Sequence, residues 1–137
     1  MKVLFLDIDG VVNGMKTFEL IDTIPLDKYM CFMVGKIMLD TDCVMVLSSS
    51  WRGYKEGEVE IEKRIGKITD RTPYKAGVRG NEIQAWLDEH PEVVKYAILD
   101  DDDDMLPEQM TNFFKTDGRI GLTEEVAKAV TDHLSTP

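Results

Sequence analysis

The chain has 137 residues, 43% of them hydrophobic and 31% charged, and its 26 acidic against 16 basic side chains give a formal net charge of −10. That length suits one compact domain, residues 1–137, and the composition excludes disordered, collagenous and fibrous classes. Broad, nonspecific nucleic-acid binding is disfavoured as well, because affinity for a phosphate backbone rests mainly on Lys and Arg.

In chain order, residues 3–6 form a short continuous apolar run of the buried-strand type that stops at Asp7-Ile8-Asp9-Gly10. No apolar run approaches the ~20 residues needed to cross a bilayer, and the acidic Asp7 comes too early for a signal peptide, so no membrane partner and a cytoplasmic setting are expected. Pro25 suits a first helical turn, after which Met30, Met33, Val34, Ile37 and Met38 recur at helical spacing. This Met-rich stripe reads as core filling. Residues 43–47 are a second buried strand, ending in Ser48-Ser49-Ser50. Cys31 and Cys43 lie among apolar neighbours without metal-ligand spacing and read as buried thiols.

Between Gly53 and Gly80 the chain is charged and weakly patterned, with a helix suggested only near residues 59–65. Residues 52–79 nonetheless carry eight basic against five acidic side chains, a local +3 that would suit either an electropositive mouth or a solvated helix face of alternating charge. Ile83, Trp86, Leu87 and His90 follow a helical pattern that Pro91 stops. Residues 96–99 form a third strand leading into five consecutive aspartates, and residues 112–116 a fourth. Thr123 caps a last helix whose Val126, Ala129, Val130 and Leu134 face inward. Strands and helices alternate and the strands are unbroken apolar runs, so the expected fold is α/β, a doubly wound, mainly parallel sheet.

Ligands in such sheets bind beyond the carboxyl ends of the strands. Asp7 and Asp9 follow the first strand, Ser48 and Ser49 the second, Asp100 and Asp101 the third. Four carboxylates at two strand ends repel one another unless a cation lies between them, and an all-oxygen donor set favours Mg²⁺. Neither acidic run satisfies the EF-hand pattern: Val11 and Val12 interrupt one, and Met105 the other. Trp51 after the serines reads as packing, and His90 and His133 as boundary residues.

These residues resemble, in their order, the haloacid dehalogenase (HAD) superfamily of phosphohydrolases. Leu4-Phe5-Leu6-Asp7-Ile8-Asp9-Gly10-Val11 is similar to its first motif, a strand followed by DxDG, and Val44-Met45-Val46-Leu47-Ser48 to its second. Ala97-Ile98-Leu99-Asp100-Asp101 is similar to the fourth; the third, a lone cation, falls on Arg79 or Lys75. A finer resemblance, carried by Leu47-Ser48-Ser49-Ser50-Trp51-Arg52, residues 79–87, Ile98-Leu99-Asp100-Asp101-Asp102 and Gly121-Leu122-Thr123, is to the small HAD-type domain of multi-domain RNA repair proteins.

The resemblance implies Asp7 as nucleophile, forming an aspartyl-phosphate, and Asp9 as general acid and then base. It implies Mg²⁺ held by Asp7, the main-chain carbonyl of Asp9, Asp100 and Asp101. Ser48 and Arg79 would bind the transferring phosphoryl oxygens. Ser49, Arg52 and Lys75 are expected against the substrate, and Asp102, Asp103 and Asp104 in a solvated acidic loop. Strand-end alternation leaves open which of Ser48 and Ser49 faces the site. The short spacings from Asp9 to Ser48 and from Ser48 to Arg79 leave no room for a large cap domain. An uncapped site beside a basic stretch suits a phosphorylated substrate such as a nucleic-acid end or a nucleotide. The alternatives are a noncatalytic receiver-like or metal-binding signalling module, and a phosphotransferase.

Overall fold

The fold is that of a computed structural model describing residues 1–20 and 23–137. Five strands, β1 (Lys2–Leu6), β2 (Val44–Leu47), β3 (Ile68–Arg71), β4 (Lys95–Asp100) and β5 (Phe113–Lys115), pair in parallel in the order β3-β2-β1-β4-β5. The helices are α1 (Met15–Leu20), α2 (Lys28–Thr41), α3 (Lys55–Arg64), α4 (Arg79–Asp88) and α5 (Glu124–Ser135), with a 3₁₀ helix over Pro107–Asn112. The chain runs outward from β1 to β3, then crosses back to lay β4 on the other side of β1. The sheet therefore reverses its winding at β1, and the crevice expected at such a switch point opens beside Asp7.

The apolar runs lie where their period predicts. Leu4, Leu6, Met45, Leu47, Ala97 and Leu99 point to one face, where Val34 and Ile37 of α2, Ile61 of α3 and Val130 and Leu134 of α5 close the main core. Val3, Phe5, Val46 and Ile98 point to the other, covered by Ile83 and Trp86 of α4. Cys31 and Cys43 are buried and unpaired, and burial pushes the Cys31 thiol up to about 12 and raises that of Cys43, which disfavours the thiolate in both. No helix among the described residues is long and apolar enough to cross a membrane, and no cap domain interrupts the described connections.

The structure differs from the expected elements in five places. Pro25 precedes α2 instead of opening it: Asp27 is the N-cap, its carboxylate accepting from the Tyr29 and Met30 amides at 2.9 and 3.0 Å. A short helix, α1, follows the first acidic motif. Helix α3 begins at Lys55 and α4 at Arg79, each four residues before the expected start. The polar segment Ile-Thr-Asp-Arg is an edge strand, β3, and its Asp70 accepts from the Trp86 indole N–H at 2.8 Å, tying the edge to α4. Thr123 does cap α5, accepting from the Val126 amide.

Candidate active site

The carboxyl ends of the strands extend as a ladder by one residue. The amide of Asp7 donates to Leu99, that of Ser48 to Leu6, that of Thr72 to Leu47 and that of Thr116 to Asp100, each at 3.0 Å. Side chains alternate along a strand, so counting by twos from Phe5, Val46 and Ile98 puts Asp7, Ser48 and Asp100 on the face covered by α4. Ser49 falls on the opposite face. Its hydroxyl accepts from the Trp51 amide at 3.1 Å and closes the turn, whereas the Ser48 hydroxyl is fully buried and has no hydrogen-bond partner. Of the two serines, Ser48 alone has a hydroxyl with no hydrogen-bond partner.

Asp7, Asp100 and Asp101 each bring a carboxylate oxygen within 4.8 Å of the others. Burial, reinforced by the charge of Asp100, pushes Asp7 up to about 9, and burial likewise raises Asp100 to about 6. A cation faces them: half-buried Arg79 places Nη1 3.7 Å from Asp7 Oδ1, and that nitrogen is buried without a hydrogen bond. Three clustered carboxylates, two of them buried, suit a hard divalent cation. Gly10 lets Asp101 approach. With φ of +83°, a Cβ there would lie 2.2 Å from Asp101 Oδ2, so Gly10→Ala is expected to displace Asp101 and weaken any affinity of the acidic cluster for Mg²⁺ at least tenfold, as read by calorimetric titration.

Asp9, two residues from Asp7, lies in different surroundings. It is exposed, and its Oδ1 accepts from Asn13 Nδ2 and from the Trp51 indole N–H, each at 3.1 Å. Buried Asn13 is fixed in turn by the Gly10 amide at 2.7 Å. Trp51 packs as expected, edge-on to Tyr54, and in addition holds an acid of the first motif.

Helix α4 delivers Arg79 through contacts that lie far apart in sequence. Its N-cap residue, Val78, has no capping side chain. Instead Asp104 Oδ2 accepts from the Arg79 amide, and the Asp104 carbonyl from the Gly80 amide, both at 3.1 Å. Asp102 and Asp103 are exposed as expected of a solvated loop, but Asp104 is a helix cap. Glu82, one turn into α4, is buried and receives Arg79 Nε at 3.4 Å, Arg52 Nη2 at 3.2 Å and the Lys75 amide at 3.1 Å. Glu82 and Asp104 carry no motif signal; only the i, i+3 spacing of Arg79 and Glu82 hints at the pairing.

The Arg52 guanidinium is engaged within the protein, donating to the Ser49, Thr72 and Pro73 carbonyls, the Thr72 hydroxyl and Glu82. The local excess of positive charge is also dispersed, since Lys63 and Arg64 pair with Glu60 and Arg71 pairs with Glu58. At the mouth this leaves Arg79 beside the acids, and Lys75 exposed without an ion pair among the described residues. His90 stacks on Trp86 and His133 hydrogen-bonds Tyr96 and Asn112, both as boundary residues.

The family model described as the HAD domain in Swiss Army Knife RNA repair proteins matches residues 3–127. No curated protein and no solved structure matches the chain.

Proposed function

The chain belongs to the family of HAD domains found in Swiss Army Knife RNA repair proteins, and on that premise we propose that it is a Mg²⁺-dependent phosphomonoesterase whose substrate phosphate is carried by a nucleic-acid end or a nucleotide. One observation carries the reading. Ser48 Oγ and Arg79 Nη1 are buried donors without a hydrogen bond; Ser48 extends the strand next to that of Asp7, and Arg79 Nη1 lies 3.7 Å from the Asp7 carboxylate. Buried polar groups are nearly always hydrogen-bonded, so an unpaired pair of donors marks the place of a missing acceptor. A phosphoryl group supplies such acceptors.

In the proposed reaction an Asp7 oxygen attacks phosphorus while the bond from phosphorus to the leaving oxygen breaks, giving an aspartyl-phosphate. Asp9 gives its carboxyl proton to the leaving oxygen. Asp9 then takes a proton from a water molecule, which attacks the same phosphorus and releases inorganic phosphate and free Asp7. Asn13 and Trp51 hold one oxygen of Asp9 and leave the other to exchange the proton. Ser48 and Arg79 donate to the equatorial phosphoryl oxygens, in place before charge develops on them. Asp7, Asp100, Asp101 and the Asp9 carbonyl would hold Mg²⁺, which supplies positive charge to those oxygens and keeps Asp7 ionised. The two carboxyls meet different partners: Asp7 lies buried among Asp100, Asp101 and Arg79, and Asp9 lies exposed beside Asn13 and Trp51.

The test is phosphate release from a 3′-phosphorylated oligonucleotide, a mononucleotide and an aryl phosphate, with Mg²⁺ or with EDTA. Release that EDTA abolishes, and that favours the oligonucleotide, is the expected result. Stable phosphorylation of the protein without turnover would move it to the receiver-like class, and transfer to an added alcohol in place of water would make it a phosphotransferase. No release from any substrate would sink the proposal.

A further inference from the structure

Tyr74 is 65% exposed yet held at both ends. Its hydroxyl donates to the Arg52 carbonyl at 3.2 Å, and the Arg52 guanidinium carbon lies 3.9 Å from the ring centroid. That guanidinium is itself fixed, with a side chain only 4% exposed and bonds to Thr72, Pro73 and Glu82. One face of the ring is therefore occupied and the other open. The outer face of the ring is thus a positioned aromatic surface open to a planar group. The support beneath it is continuous with the candidate site: Glu82 Oε1 receives both Arg52, under Tyr74, and Arg79, beside Asp7.

We infer that Tyr74 is a stacking platform for the nucleobase adjoining the phosphate that is removed, a specificity residue for the phosphatase reading on which this inference rests. Base–aromatic stacking is worth roughly 1–3 kcal/mol per base and tolerates any sequence, because every base has a π-face. It also depends little on charge. That suits a chain of net charge −10, which cannot draw much affinity from the phosphate backbone. Lys75, next in sequence and exposed, is placed to meet a neighbouring phosphate of a polymeric substrate.

The experiment compares kcat/KM for a 3′-phosphorylated oligonucleotide and for the same strand with an abasic terminal nucleotide, using wild type, Tyr74→Ala and Tyr74→Trp. The wild type is expected to prefer the base-bearing end. Tyr74→Ala is expected to reduce that preference about 5- to 100-fold, mainly through KM, and Tyr74→Trp to restore it. An unchanged preference in Tyr74→Ala overturns the platform. Equilibrium binding of the base-bearing strand to Asp7→Asn protein, with and without Tyr74→Ala, separates the two readings. If no substrate is hydrolysed the phosphatase reading fails, and binding alone decides: at least fivefold weakening by Tyr74→Ala supports the platform, and equal binding overturns it.

Discussion

Replacing Asp7 with Asn is expected to lower turnover by a factor of about 10⁴ or more, the scale seen when a covalent nucleophile is removed, while making the metal-free protein more stable. The two effects have one origin. Burial raises the Asp7 carboxyl from its ordinary value of 3.8 to about 9. The folded state therefore binds a proton that the unfolded state has released across that interval. Stability from this group is fully present below the unfolded value and is lost as pH rises through the folded one, so the metal-free wild type should weaken steadily from about pH 4 to pH 9. An Asn at that position has no charge to desolvate, and the gain near neutral pH should be on the order of 2 kcal/mol, a rise of several degrees in Tm. Scanning calorimetry across pH in EDTA measures it. With Mg²⁺ the order should reverse, because the wild type gains binding free energy that the variant lacks. A variant less stable than wild type in EDTA at pH 8 would mean that Asp7 is not the strained group described here.

Glu82→Ala should give the largest loss of stability of any single change near the site, about 3–5 kcal/mol by urea denaturation. One carboxylate there meets two guanidinium groups and an amide, with its own side chain and that of Arg52 nearly inaccessible to water. Removing it leaves the buried Arg52 charge without a counterion. Glu82→Gln retains an acceptor for Arg52 and should lose roughly half as much. Both variants should also turn over more slowly, because Arg79 loses the partner that aims it at Asp7. A loss below about 1 kcal/mol in Glu82→Ala would show that the carboxylate is dispensable to the buried network.

How much of this was legible depends on where each signal was stored. Strands β1, β2 and β4 are covered on both faces and read as apolar runs, and each ends in a polar residue of the site. Edge strand β3 has only Ile68 fully buried, so Thr69 and Arg71 mask it as loop. Helix α3 buries just Gly57 and Ile61, too little to register as an apolar stripe. The start of α4 was obscured for a different reason. Its cap, Asp104, stands 25 residues further along the chain, out of reach of any local capping rule. Ser48 was separated from Ser49 only by the face that α4 covers. Arg52 was ambiguous for another reason, since a basic residue beside a serine-rich strand end has the same sequence signature whether it faces solvent or anchors a loop.

The order of the strands has a consequence for how the molecule assembles. Leu6 and Leu99 lie far apart in the chain, yet they are register partners, and the Asp7 amide joins the β4 ladder through the Leu99 carbonyl. The first three strands can associate through connections of modest length, but the acidic cluster comes into being only when β4 docks against β1, a non-local step of the kind that slows folding. That docking brings Asp100 and Asp101 toward Asp7 as water is being expelled, so mutual repulsion opposes the event that completes the hydrophobic core. Protons or a divalent ion relieve the repulsion, which makes the composition of the solvent a determinant of refolding speed as well as of the final equilibrium.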